Sequence, residues 1–336
     1  MRIAPDAHQS AEERTILARM TRSGLARAGL TVTAAEAGHP AVAEIAHLAQ
    51  AVLRAEAPGG ERLARLGRML DRARAGIAAA PPSALPWPAE PAAPAPHLER
   101  SVVRARNSLP RQDGDTGTPL ESTVVAWYER EVETLCETVA LLAAVWPEAH
   151  AELGGILAQI ALLAGPAIDG FTDFTVHGAV FVRRDRLGPG PDALPGPVRL
   201  AEALVHEGTH TRCNAASVAA QPFLRPARGD VGLVATPLRV DARPLTGLFQ
   251  QVVVLARSVL LYRRLLDGDM RDPGTATAVR SRHAQLARSA TEGVRTLADH
   301  RDALTDHGLA VLEEATTVAR ESDRESARES TRESAR

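Results

Sequence analysis

The sequence predicts a mainly α-helical protein: a helical catalytic domain with a small β-element beside its motif helix, preceded by an N-terminal helical region. Three observations carry this expectation. Of 336 residues, 45% are hydrophobic but only 3% aromatic, and a chain rich in alanine, leucine and arginine favours helix. Apolar positions recur at helical spacing, as in Ile45, Leu48 and Val52 and again in Leu63, Leu66 and Leu70. The best strand candidate is Phe171 to Arg183, rich in β-branched and aromatic residues.

Taken in order, residues 1–80 predict an N-terminal helical region, with three helices between 10 and 79. Ser10-x-x-Glu13 and Thr33-x-x-Glu36 both read as capping boxes, in which a hydroxyl and a carboxylate three residues on satisfy each other's backbone amides. Residues 81–119 predict a Pro/Ala-rich and polar linker, because prolines at 81, 82, 86, 88, 91, 94 and 96 leave too few amide donors for a helix or sheet. Residues 120–319 predict the catalytic domain. Its first helix carries Val124, Trp127, Tyr128, Val132, Leu135 and Val139 and stops near Trp146-Pro147, and a second runs from Ala151 to Ala164. After the candidate strand and a Gly/Pro loop (188–197), a helix starts near Val198. Gln221 to Arg243 reads as loop, and helices follow over Leu245–Leu266, about Thr275–Ala298 and Thr305–Ala319. Residues 320–336 repeat Arg-Glu-Ser without an apolar face, which predicts a disordered tail or a solvated helix.

Composition narrows the function classes. All 39 basic residues are arginine and the formal net charge is -2, so no basic field points to nucleic acid. The absence of lysine reads as codon usage. Two cysteines far apart suit a reduced, cytoplasmic protein. The first residues lack the apolar core of a signal peptide, and the longest apolar stretch, Val252 to Tyr262, is interrupted by Arg257 and too short for a membrane span.

The chemistry concentrates in His206-Glu207-Gly208-Thr209-His210. Residues four apart share a helix face, so His206 and His210 can offer two imidazole nitrogens to one metal ion. Glu207 points beside that ion, where a general base or a water-orienting group belongs. The pattern arises by chance in roughly one chain of this length in a hundred, so its setting must decide. Ala201, Leu204 and Val205 make the helix apolar, and imidazoles and a carboxylate are costly there without a metal or a hydrogen-bond network.

A metal site needs at least a third ligand. Ala216 stands ten residues after His206, and the helix from Leu245 offers Gln250 near its start. Gln250 is therefore a third ligand, a group that orients a ligand, or an amide hydrogen-bonded in a helix interface, and Asp241 and His177 are the other candidates. Arg243, before a proline at a helix start, can grip a carboxylate bidentately or can pair with Asp241.

The stretch Leu204-Val-His-Glu-Gly-Thr-His, with Asp241-Ala-Arg-Pro-Leu-Thr-Gly-Leu-Phe-Gln250 some thirty residues on, resembles the HEXXH-motif proteins of ribosomal-peptide biosynthesis. The likeness extends to Pro166–Val182 and to Leu304-Thr-Asp-His-Gly308, covering roughly residues 120 to 318. That family includes stand-alone proteins and domains fused to radical-SAM peptide maturases, and some members are iron(II)- and 2-oxoglutarate-dependent peptide β-hydroxylases. The resemblance implies His206 and His210 as iron ligands, Arg243 as the binder of the oxoglutarate carboxylate, and a precursor peptide as substrate, with a radical-SAM maturase as a partner. Gln250 stands where many active members carry histidine, and Gly208-Thr209 replaces a bulkier pair. Three classes follow: an iron oxygenase acting on a precursor peptide, a zinc peptidase with Glu207 as base, and a non-catalytic binder of a peptide or maturase.

Overall fold

Asp6 starts the first helix: its side chain accepts from the Gln9 amide, and α1 runs Ala7–Arg27. The computed structural model describes residues 1–336 except 56–58, 80–86, 88, 109–119, 191–192, 227–232, 238, 269–271 and 335–336. Ser10 is thus inside α1, where its hydroxyl donates to the Ala7 carbonyl, and Glu13 is drawn away to Arg212. The second expected box is present: the Thr33 amide donates to Glu36 (2.6 Å), and the Glu36 amide to the Thr33 hydroxyl (3.2 Å). It caps the single turn α2 (Ala34–Ala37), after which α3 (Pro40–Arg54) and α4 (Gly60–Ala79) complete the N-terminal helices. Their apolar faces meet in a small core of Leu25, Val42, Ile45, Leu66 and Leu70.

The expected linker is corrected where it is described; residues 81–86, 88 and 109–119 of that expectation lie outside the described residues. Glu90–Pro91 form a strand, β1, and Pro96–Ser108 a helix, α5. Proline tolerates both places. At the edge of a sheet its missing amide faces outward, and in the first turn of a helix the amide has no partner anyway. Buried Glu44 on α3 accepts from both Arg100 and Arg104, which ties α5 to the N-terminal helices.

The next expected helix begins later than its apolar pattern suggested. Thr123–Val125 is a strand (β2), and α6 covers Glu129–Val145. The segment expected as one helix from Ala151 to Ala164 divides into α7 (Pro147–Ile156) and β3 (Gln159–Ala164). The candidate strand divides as well, into β4 (Gly170–Thr172) and β5 (Ala179–Arg183) around a 3-10 turn and Gly178, whose φ is +93°.

The five strands form one mixed sheet. β3 pairs in parallel with β5 on one side, and on the other with β1 (parallel) and β2 (antiparallel); β4 closes the far edge against β5, antiparallel. β3 and β5 are covered on both faces. Ile160, Leu162, Val180 and Val182 enter the main core, while Ala161, Leu163, Ala179 and Phe181 enter a separate cluster with Leu98 and Val102 of α5.

The remaining helices are α8 (Gly196–Ala219), α9 (Leu245–Asp267), α10 (Pro273–Ala298) and α11 (Asp306–Ser334). Within the expected loop 221–243, Val234–Thr236 and Arg239–Arg243 pair as a hairpin, β6 and β7. The Arg-Glu-Ser tail continues α11: Arg263 of α9 bonds Glu321 (3.0 Å), Ser322 (3.0 Å) and Glu325 (3.2 Å), all on one side of the tail helix. Among the described residues, α9 is the helix long and apolar enough to cross a membrane, yet 72% of that stretch is buried inside the protein itself.

Candidate metal centre

α8 threads the core between α6, α7 and α9 and lies along β4 and β5. Its buried side is Leu200, Ala201, Leu204, Val205, Thr209, Cys213 and Ala216. His206, His210 and Asn214, at i, i+4 and i+8, lie half-buried along its other side. The two imidazole rings sit one helical turn apart, with centroids separated by 5.1 Å and planes inclined at 58°.

A hydrogen-bonded chain sets the orientation of His210. Gln250, in the second turn of α9, donates its amide N–H to Asn214 Oδ1 (3.0 Å) and presents Oε1 to His210 Nδ1 at 2.7 Å. With the amide nitrogen used on Asn214, Gln250 Oε1 must accept, so His210 Nδ1 carries a proton, and in the neutral ring the lone pair is on Nε2. Gln250 thus ties α9 to α8 beside the motif and holds the His210 ring. Asn214 was not singled out in the sequence, although its i+8 spacing from His206 was there to be read.

Glu207 is buried, directed at the sheet edge. Its Oε1 lies 4.0 Å from His206 Nε2, and a Cβ built on Gly170 of β4 would stand only 2.8 Å from that oxygen and 3.2 Å from the Phe181 carbonyl. Gly170 therefore makes the room in which the Glu207 carboxylate lies, and no local signal in the sequence marks it. Gly208 has a similar reason: a Cβ there would fall 2.1 Å from Leu153 Cδ2, where α7 crosses close to α8. The hydroxyls of Thr209 and Thr211 bond back to the carbonyls of Val205 (2.6 Å) and Glu207 (3.0 Å), so neither leaves a polar atom idle in the core.

One turn beyond the motif, α8 anchors a buried ion network. Arg212 bonds Glu13 of α1 and Glu152 of α7, Arg257 of α9 bonds Glu152, and the Asp6 amide reaches Glu152 at 2.8 Å. Burial, with Arg257 close by, lowers the Arg212 guanidinium to about 10. Burial raises the neighbouring Cys213 thiol to about 12, which leaves it protonated and unreactive.

The other candidates fall in different places. Arg243, half-buried, ends β7 just before Pro244 caps α9. Asp241 lies on β7, but its side chain is outside the described residues. His177 is not brought to the motif: it sits past the 3-10 turn, with Phe174 between it and His47 of α3 (ring centroids 5.7 and 5.5 Å). Among the described residues, no three His, Cys, Asp or Glu side chains gather as a ligand set. No family model matches the chain. No curated protein matches it either.

Proposed function

We propose that the chain is a cytoplasmic metal-dependent enzyme acting on a ribosomally made precursor peptide, with His206 and His210 as metal ligands. The observation that carries this reading is the Asn214–Gln250–His210 chain. Two amide side chains hold this one imidazole through Nδ1, and ligating histidines are held in this way by a partner on the other ring nitrogen. Two imidazoles one turn apart fit a divalent first-row ion. Gln250 is the weaker choice for third ligand, since its oxygen already serves His210. A carboxylate as third ligand would complete a two-histidine, one-carboxylate set, the arrangement used by iron(II) oxygenases, and Asp241 is the candidate the sequence offers for it.

The chemistry proposed is β-hydroxylation of a peptide side chain, for which iron(II) and 2-oxoglutarate would supply oxygen activation and oxidative decarboxylation. Arg243 would hold the distal carboxylate of the cosubstrate through a two-pronged guanidinium contact. Glu207 would act as an orienting group at the sheet edge. A radical-SAM maturase is the partner this reading suggests.

A zinc peptidase is the second reading, favoured by Glu207. A carboxylate buried beside His206 is suited to take a proton from an attacking water. Metal analysis and turnover separate the two. Protein reconstituted with iron(II) should consume 2-oxoglutarate, and His206→Ala or His210→Ala should each remove the bound metal. Zinc-dependent peptide cleavage without oxoglutarate use would support the peptidase, and full metal stoichiometry in either alanine variant would place the centre elsewhere. A protein that binds no divalent metal would leave a non-catalytic peptide or maturase binder.

A further inference from the structure

A cavity of about 740 Å³ lies between the N-terminal helices and the segment Glu90–Arg100, and no residue of α8 lines it. That volume is within the range that small-molecule sites occupy. Its walls are apolar: Ile45 of α3, Met69, Ala73 and Ile77 of α4, and Pro94 and Pro96 opposite. One end is polar, and its hydrogens can be assigned.

His39 caps α3 by accepting the Ala41 amide at Nδ1 (3.2 Å). Burial holds this imidazole down to about 4, so it is neutral near pH 7 and carries its single proton on Nε2. Gln159 of β3 has its own orientation fixed: its amide N–H donates to the Glu90 carboxylate (2.9 Å), and its Oε1 lies 2.8 Å from His97 Nε2. The 3.4 Å contact between Gln159 Nε2 and His39 Nε2 therefore sets a donor against a donor. The His39 N–H is not satisfied by Gln159, and His39 lines the cavity. Glu90, an acceptor, lines the same end.

We propose that this cavity binds a small neutral molecule with an apolar body and a carboxamide head, whose carbonyl accepts from His39 Nε2–H and whose N–H donates to Glu90. The two protein groups ask for opposite partners, and a carboxamide supplies both on one carbon. A carboxylate head would meet Glu90 as a like charge, and the neutral imidazoles offer no compensating cation. Two arginines also line the cavity: Arg100 is already committed to Glu44, and Arg72 is solvent-exposed on α4, where water screens its charge. An amine head would suit Glu90 but leave the His39 N–H without an acceptor. Such binding is separate from the metal chemistry and does not depend on it.

The test uses three probes of equal chain length: octanamide, octanoate and octylamine, titrated calorimetrically into the full-length protein at pH 7.5. Octanamide should bind at one site and at least tenfold more tightly than either charged analogue. Gly76→Leu blocks the cavity from α4: nothing lies within 4 Å of a Cβ at Gly76, so the new side chain meets open space, and leucine improves the helix. That variant should keep or raise the thermal midpoint and weaken octanamide at least tenfold. His39→Asn keeps a capping side chain but removes the Nε2–H, and should also weaken octanamide while leaving octylamine unchanged. Equal binding of the three probes, no heat with octanamide, or undiminished affinity in Gly76→Leu would each overturn the proposal.

Discussion

Lowering the pH from 7 to 5 should destabilise the protein through the imidazoles at the seam between the N-terminal helices and the sheet. Burial lowers His39 and His177 from 6.5 to about 4, helped by the neighbouring His97 and His47 respectively. A histidine whose folded value is depressed binds its proton more readily in the unfolded chain. Its stabilising contribution is present above 6.5 and is lost as the pH falls toward 4. At pH 5 the loss is at most about 2 kcal/mol per group, or about 4 kcal/mol for the two. Burial also lowers His47 and His97, which adds in the same direction. Burial lowers His150 in the same direction, and the Met1 amine, lowered by burial to about 6, acts between pH 8 and 6; both are common to the wild type and the double variant and cancel in their comparison. Glu36, held down to about 2 mainly by Arg74, acts below pH 4.5. Urea denaturation followed by circular dichroism at pH 7, 6 and 5 measures the effect. In the double variant His39→Asn/His177→Gln, the slope between pH 6 and 5 should fall by up to about 2.7 kcal/mol per pH unit. Hydrogen exchange should show α3 opening before α9. A double variant with the wild-type pH slope would refute the reasoning, because burial of these two rings would then carry no proton linkage.

The site yields further expectations. Glu207→Gln should keep metal bound. In an oxygenase it should slow turnover modestly, whereas in a peptidase it should cost orders of magnitude in kcat. Arg243→Ala should raise the KM for 2-oxoglutarate sharply, and an unchanged KM would remove the assignment of that residue. Gly170→Ala should press a methyl group against the Glu207 carboxylate and the Phe181 carbonyl. About 1–3 kcal/mol of stability should be lost by overpacking, and turnover should fall with metal still bound; wild-type stability would mean that β4 yields freely.

Much of the fold was legible from local pattern, because local physics decides it. The mainly α class, α8 to within two residues of its start, and α9 and α10 with their apolar repeats follow from periodicity and propensity alone. So does the Thr33–Glu36 box, whose partners are three residues apart. The i, i+4 spacing of His206 and His210 likewise guarantees a shared helical face wherever the helix packs. Tertiary structure decided the rest. Gln159–Ala164 became a strand because β1, β2 and β5 supply partners and both faces are covered, and a run apolar on both faces has no period to distinguish strand from buried helix. The Ser10–Glu13 pair matched a capping box, but Asp6 was placed to cap first, and the buried Arg212 claimed Glu13 from 199 residues away. The tail stays helical where Arg263 of α9 meets it, a contact that no repeat of Arg-Glu-Ser announces. At the site, the sequence left the contacts of Gln250 open; only the fold brings it to His210 and Asn214, 40 and 36 residues away. Gly170 belongs to the same class. Its missing side chain matters only because the fold brings the Glu207 carboxylate against β4, and such an approach between distant segments leaves no trace in the spacing of either.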